Sequence, residues 1–338
     1  MNAAPARSVF LLCLLFLVLL LSGCERQSRE PEEELIYRLK WLYNINAAGD
    51  LYALEHGVFA AHNLKVAVKP GGPERDAIRE LELGRAQFGV ASADQVIRAL
   101  AKGAPIVVIA QLFQQNPLQW IHRSGGPCCA SPRDLRGKTV GITYGGNDET
   151  IMRSLLAKYG IDPSEVNLFS VRYDYTPFYS GKVDLWPIYR NAEGIVIAEK
   201  MAREGEETGF FVPDLFDVRF VANSVITTRK MMEEHPDLVR GFRSALLTAW
   251  QEALTPANTE KTIALVHAFD PNTPPGIVAK QLAATRQLML PANGKFGRID
   301  VAAWQQTERI MLEQGVIEIP VSVDKSLWPD AQEAVVKK

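Results

Sequence analysis

The chain has 338 residues, 47% of them hydrophobic and 22% charged, with 37 Lys and Arg against 39 Asp and Glu. A formal net charge of −2 and a pI near 6.3 leave no basic stripe for a phosphate backbone, which excludes nucleic acid as the partner class, and the apolar content excludes a disordered chain. At roughly 100 to 200 residues per domain, the length predicts two lobes, with enough chain to build a core without metals or disulfide staples.

Val9 to Leu21 reads VFLLCLLFLVLLL without one polar residue, Arg7 precedes it, and Leu21-Ser22-Gly23-Cys24 follows. The run is too short for a bilayer span, which takes about 20 residues, so residues 1–23 read as a signal peptide with a small-residue cleavage site. The Leu-Ser-Gly-Cys quartet resembles a bacterial lipobox. That likeness implies cleavage after Gly23, diacylglycerol on Cys24 and a polar tether over residues 24–34, so the membrane would be met through the lipid alone. Of the four cysteines, only Cys128 and Cys129 then remain in the body. Adjacent cysteines resist bonding to each other, so a turn over residues 125–129 is expected and no disulfide framework.

From Leu35 onward, short β-rich runs alternate with helical periodicity, the signature of α/β architecture. In chain order the pattern predicts a strand at Leu35–Trp41, a helix whose apolar face is Leu51, Leu54, Val58 and Ala61, and a strand at Leu64–Val68. A helix opened by Pro73 carries Ala77, Ile78 and Leu81, and a strand follows at Gln87–Ala91. A helix then runs from Ser92 or Ala93 to Gly103, before a buried parallel strand at Ile106–Ala110. The scheme restarts with strands at Lys138–Thr143, Val166–Val171 and Leu185–Tyr189, helices at Glu149–Tyr159 and Asn191–Arg203, and β character at Val221–Thr227. Beyond Lys230 the pattern is helical, with helices starting at Pro236, Pro275 and Val301.

Most motifs of group chemistry fail on inspection. Arg136-Gly137-Lys138-Thr139 ends like a phosphate-binding loop, but Pro132 stands where its first glycine belongs. His56, His62, His122, His235 and His267 match no metal-ligand spacing, and His56 and His62 fall about 240° apart on one expected helix. A Gly-x-Ser-x-Gly elbow is absent from the sequence. No catalytic residue, metal ligand or cofactor site is therefore expected. What remains is a set of aromatic and polar residues at expected strand ends, where open α/β sheets bind their ligands. The candidates are Trp41, Tyr43 and Asn44; Ser92 and Asp94; Tyr144 and Asp148; and Trp186, Tyr189 and Glu193. Trp41, Trp186 and Tyr189 are expected to face one another across a cleft and sandwich a flat ring, whose nitrogen groups Asn44, Asp94 and Glu193 would read.

KWLYNINAAGDLYALEHGVF at residues 40–59 resembles the opening of periplasmic solute-binding proteins of the thiamine-pyrimidine and nitrate, sulfonate and taurine group. GRAQFGVAS from Gly84, KGAPIV from Lys102, SPRDLRGK from Ser131 and SGKVD from Ser180 are similar to further motifs of that family, in the same order. The resemblance implies an α/β, bilobal periplasmic-binding-protein fold of type II, with two α/β lobes joined by a hinge and a helical C-terminal part. Lobe 1 would comprise residues 35–120 and 222–338 and lobe 2 residues 121–221, with crossings near 117–127 and 217–223. It further implies a monomer, lipid-anchored in the periplasm of a bacterium, that hands a small heterocycle of the thiamine-pyrimidine type to an ABC permease.

Two departures from the family pattern bear on the ligand. Pyrimidine-precursor binders usually read Trp-x-Pro-Asn-x-x-His, but Tyr43 and Ala47 replace the proline and histidine here. The fungal relatives that synthesise the pyrimidine carry a lysine and a histidine after the third strand and a late cysteine-rich motif. Residues 91–95 (ASADQ) and 218–225 (VRFVANSV) lack them. The rival expectations are a sulfonate- or nitrate-type small-anion binder, for which Arg190 is the main cation, and a pyrimidine synthase.

Overall fold

The computed structural model describes residues 34–72, 74–124, 129–290 and 296–331. The expected signal peptide, nearly all of the tether, the helix start at Pro73 and most of the turn at 125–129 lie outside the described residues. The first lobe opens with strand β1 (Leu35–Arg38), a 3-10 turn at Ile45–Ala47, helices α1 (Ala48–Glu55) and α2 (Val58–Ala61), and β2 (Val66–Lys69). Gly57 between the two helices sits at φ 67°, a left-handed conformation that ends α1. The single helix expected over this stretch is therefore broken, and His56 and His62 close two different helices.

The chain continues through α3 (Ala77–Glu82), β3 (Phe88–Ala91), α4 (Ala93–Ala101) and β4 (Ile106–Gln111). Asp76, whose carboxylate accepts the Arg79 N–H, caps α3. After β4 the chain crosses to a second sheet and forms β5 (Leu118–Arg123), β6 (Thr139–Ile142), α5 (Asn147–Lys158) and β7 (Asn167–Ser170). Next come α6 (Thr176–Tyr179), β8 (Leu185–Tyr189), α7 (Glu193–Arg203) and β9 (Thr208–Phe211). It then returns through Asp217, at φ 55°, to β10 (Ser224–Thr228) in the first sheet. Among the described residues, the α-helices that follow are α8 (Arg229–Glu234), α9 (Pro236–Leu254), α10 (Thr259–Phe269), α11 (Pro275–Met289) and α12 (Val301–Glu313).

Among the described residues, both sheets have five strands on one plan, in the orders β2-β1-β3-β10-β4 and β7-β6-β8-β5-β9. The strand that follows each crossing, β5 or β10, runs antiparallel to both of its neighbours. β5 pairs with β8 and β9, so the expected lobe division after residue 120 falls inside a strand of the second sheet, and the first crossing is the shorter stretch at 112–117. The two crossings lie side by side, with the Asn223 carbonyl accepting the N–H groups of Leu112 at 3.0 Å and Phe113 at 3.3 Å.

The first core is built on α9, whose buried face includes Val239, Phe242, Leu246, Ala249 and Trp250. Phe242 stacks on Phe88 and meets Tyr37 edge-on at 5.1 Å. Trp250 covers α1 at Gly49, where any side chain would collide with the indole. The expectation of no disulfide is corrected, because Cys129 is disulfide-bonded. Among the described residues, no group of three or more His, Cys, Asp or Glu is placed to hold a metal ion, and no helix is long and apolar enough to cross a membrane.

Candidate functional site

A cavity of about 350 Å³ lies where the loops after β1, β6 and β8 converge. That volume is at the lower end of the range for small-molecule sites, roughly 300 to 1,000 Å³. The ends of parallel strands leave these loops free of the sheet ladder, so their side chains can point into the space between the sheets.

Of the expected site residues, Trp41, Asn44, Tyr144, Asp148, Trp186, Tyr189 and Glu193 line this cavity. Trp41 leans on Tyr173 with ring centres 5.3 Å apart, and Trp186 meets Tyr175 edge-on at 5.7 Å. Trp186 is almost fully buried, so its indole is both core and cavity wall. Tyr144 is 54% exposed at the mouth. Asn44 contributes mainly shape, because its side-chain oxygen accepts the Asn46 N–H at 2.9 Å and starts the 3-10 turn.

Three expected residues point elsewhere. Tyr43 turns back into the first lobe, donating to the Val68 carbonyl at 2.9 Å and packing on Phe269. Ser92 is the N-cap residue of α4 and donates to the Asp94 carboxylate at 2.6 Å. Asp94 is fully buried and pairs with Arg98, which reaches across to the Gly145 carbonyl at 2.9 Å. Their chemistry goes into starting a helix and holding an arginine, and Gln95 of the same turn lines the cavity instead. Arg190 also lies off the cavity lining, its guanidinium beside Gln115 of the first crossing.

The electrostatics are set by buried acids. Burial pushes the Asp148 carboxyl up to about 6, against the pull of the Thr143 N–H bond and of the Lys40 ammonium. It raises Glu193 as well, although Glu193 accepts the Tyr189 N–H at 3.2 Å and feels the same ammonium. Asp50, deeper in α1, is pushed by burial up to about 7, while bonds from the Tyr37 hydroxyl at 2.7 Å and the Trp250 indole at 3.3 Å favour its ionised form. Asp76 completes four carboxylates on the lining, against two cations among the described residues, Lys40 and Arg172. Arg172 is held by Glu74. Lys40 falls outside the expected set because the sequence pattern carries the strand to Trp41, whereas β1 ends at Arg38 and frees Lys40 in a loop. Aromatic walls with an excess of carboxylate acceptors suit a flat ligand that offers N–H donors.

The architecture, two mixed α/β sheets with a cleft between them, is the periplasmic binding protein fold. The alkanesulfonate-binding protein SsuA of Xanthomonas axonopodis pv. citri, bound to MOPS, superposes with a TM-score of 0.67 at 17% identity, covering 89% of this chain and 99% of its own. By sequence, residues 44–259 match the NMT1/THI5-like family, and the chain belongs to that family. It is similar to the formylaminopyrimidine-binding protein of Halalkalibacterium halodurans, at 25% identity over 93% of this chain and 96% of that protein. It is also similar to the riboflavin-binding protein RibY of Chloroflexus aurantiacus, at 25% identity over 87% of this chain and 84% of that protein.

Proposed function

We propose that this protein is the lipid-anchored substrate-binding component of an ABC importer and carries a small nitrogen heterocycle of the thiamine-pyrimidine type. The observation that carries the reading is the pairing of aromatic walls from Trp41, Tyr173, Trp186 and Tyr189 with the carboxylates of Asp148 and Glu193 around a cavity of about 350 Å³. A flat ring gains stacking of about 0.5 to 1.5 kcal/mol per aromatic contact beyond area burial, and its amino groups find acceptors on the acids. A sulfonate or nitrate would instead meet an excess of negative charge, which costs affinity unless cations dominate. Two relatives whose names record a pyrimidine and a flavin ligand support the same class. Anchoring at Cys24 would hold the carrier in the periplasm beside its permease, and the hinge segments at 112–117 and 217–223 would let the lobes open to release the ligand.

Mass spectrometry of small molecules released from denatured, freshly purified protein tests the proposal. A nitrogen heterocycle of ring-compound size in stoichiometric amount is expected. Release of an alkanesulfonate or a simple inorganic anion in its place would reject it.

A further inference from the structure

Lys40 belongs to the first lobe, but its ammonium donates to two groups of the second, Asn147 Oδ1 at 2.9 Å and Tyr189 Oη at 2.8 Å. The Tyr189 hydroxyl donates onward to Asn223 Oδ1 at 3.0 Å. Asn223 lies in the second crossing, and its carbonyl accepts two N–H groups of the first, from Leu112 and Phe113. A single chain of hydrogen bonds therefore runs from the cavity to both segments about which the lobes would rotate.

The same ammonium lines the cavity. An ammonium has three N–H donors, and the bonds to Asn147 and Tyr189 use two. It also sits close enough to Asp148 and Glu193 to favour their ionised forms. The lining as a whole is acidic, but at the ammonium itself a cationic group on the ligand would meet like charge, whereas a neutral ligand with a carbonyl oxygen would give the third N–H a partner.

We infer that Lys40 couples ligand choice to lobe closure: it latches the lobes through Asn147 and Tyr189 and gives its remaining N–H to an acceptor oxygen on the ligand. The site then selects a neutral, carbonyl-bearing heterocycle over the cationic analogue of the same ring. The selective part rests on the heterocycle reading above, and the latch does not.

Two measurements test it. In small-angle X-ray scattering of ligand-free protein, the wild type should be compact, while Lys40→Met and Tyr189→Phe should each have a larger radius of gyration. Circular dichroism and thermal melting would verify that both variants are folded. Wild-type and Lys40→Met proteins of equal radius overturn the latch. In calorimetry, the probes are an aminopyrimidine bearing a formamide and the same ring bearing a free aminomethyl group. The wild type should prefer the formamide by about tenfold or more, Lys40→Met should lose that preference, and Tyr189→Phe, which keeps the ammonium, should retain it. A wild type that binds both probes equally, or a Lys40→Met variant with the wild-type preference, overturns the selection while leaving the heterocycle reading intact. Binding of neither probe counts against that reading and against the selection together, and the scattering result then judges the latch alone.

Discussion

The Asp50 carboxyl is displaced far from its ordinary range. It is buried beside the cavity, and its carboxyl is pushed from 3.8 to about 7, chiefly by loss of solvent. A carboxyl that holds its proton more tightly folded than unfolded stabilises the fold at low pH, and that contribution is lost as pH rises from the unfolded value through the folded one. For Asp50 this window runs from 3.8 to about 7. Asp148 and Asp214, each raised by burial to about 6, act in the same direction over a narrower window. An amide matches the protonated acid in shape and cannot ionise. Asp50→Asn should therefore melt higher than the wild type at about pH 8 and show a smaller loss of melting temperature between about pH 5 and about pH 8. Differential scanning calorimetry at the two values checks this. Identical pH dependence in the two proteins would mean that Asp50 is not the group responsible.

Helix packing turns on two glycines with opposite expectations. At Gly49 in α1, an added Cβ would lie 2.1 Å from the Trp250 ring, so the close approach of α1 and α9 depends on the missing side chain. Overpacking of this kind costs about 1 to 3 kcal/mol, and Gly49→Ala should lower the melting temperature by several degrees. At Gly241 in α9, an added Cβ would meet nothing within 4 Å. Gly241→Ala should therefore stabilise by about 0.5 to 1 kcal/mol through helix propensity alone. Thermal melts of the pair decide whether contact or propensity governs α9. The sequence made some elements plain because their physics is local. Ile106–Ala110 reads as an unbroken apolar run and β4 is buried throughout, although it pairs antiparallel with β10 where a parallel strand is expected, and α9 carries its apolar stripe at helical spacing. β5 and β9 escaped because Gln119 and His122 interrupt the first and Gly209 the second, and neighbouring strands rather than local pattern make them β. The site divides in the same way. Of the aromatics expected at strand ends, Tyr189 ends β8, Trp41 lies in the loop after β1 and Trp186 near the start of β8, and whether Tyr43 or Asp94 faces the cavity depends on tertiary orientation that spacing does not encode. Lys40 was hidden by its type, since a lysine in a sequence reads as a solvated charge until a fold surrounds it.

The two sheets share a strand plan, and each takes one antiparallel strand from chain that has just crossed between them, so the lobes are covalently joined at two adjacent segments. Contacts across the cleft reinforce this closed arrangement, including Asn191 to Asn46 at 2.8 Å, Arg98 to Gly145 at 2.9 Å and the pair between Arg172 and Glu74. The described residues from Glu34 onward belong to one compact unit, and all residues that line the cavity lie within it. Ligand capture and the proposed anchoring should therefore be separable functions of the chain. Replacing Cys24→Ser removes the thiol that diacylglycerol would occupy and leaves every lining residue of the cavity as it is in the wild type. In cell fractionation, the variant should leave the detergent-soluble membrane fraction for the aqueous periplasmic fraction or accumulate with its leader uncut, and the wild type should carry the mass of a lipid on Cys24. Protein recovered from the variant should release the same small molecule on denaturation, in the same stoichiometry, as the wild type. A wild-type N-terminus elsewhere than Cys24, without lipid mass, would end the anchoring proposal. A variant released from the membrane but empty of ligand would show that capture depends on the anchor after all.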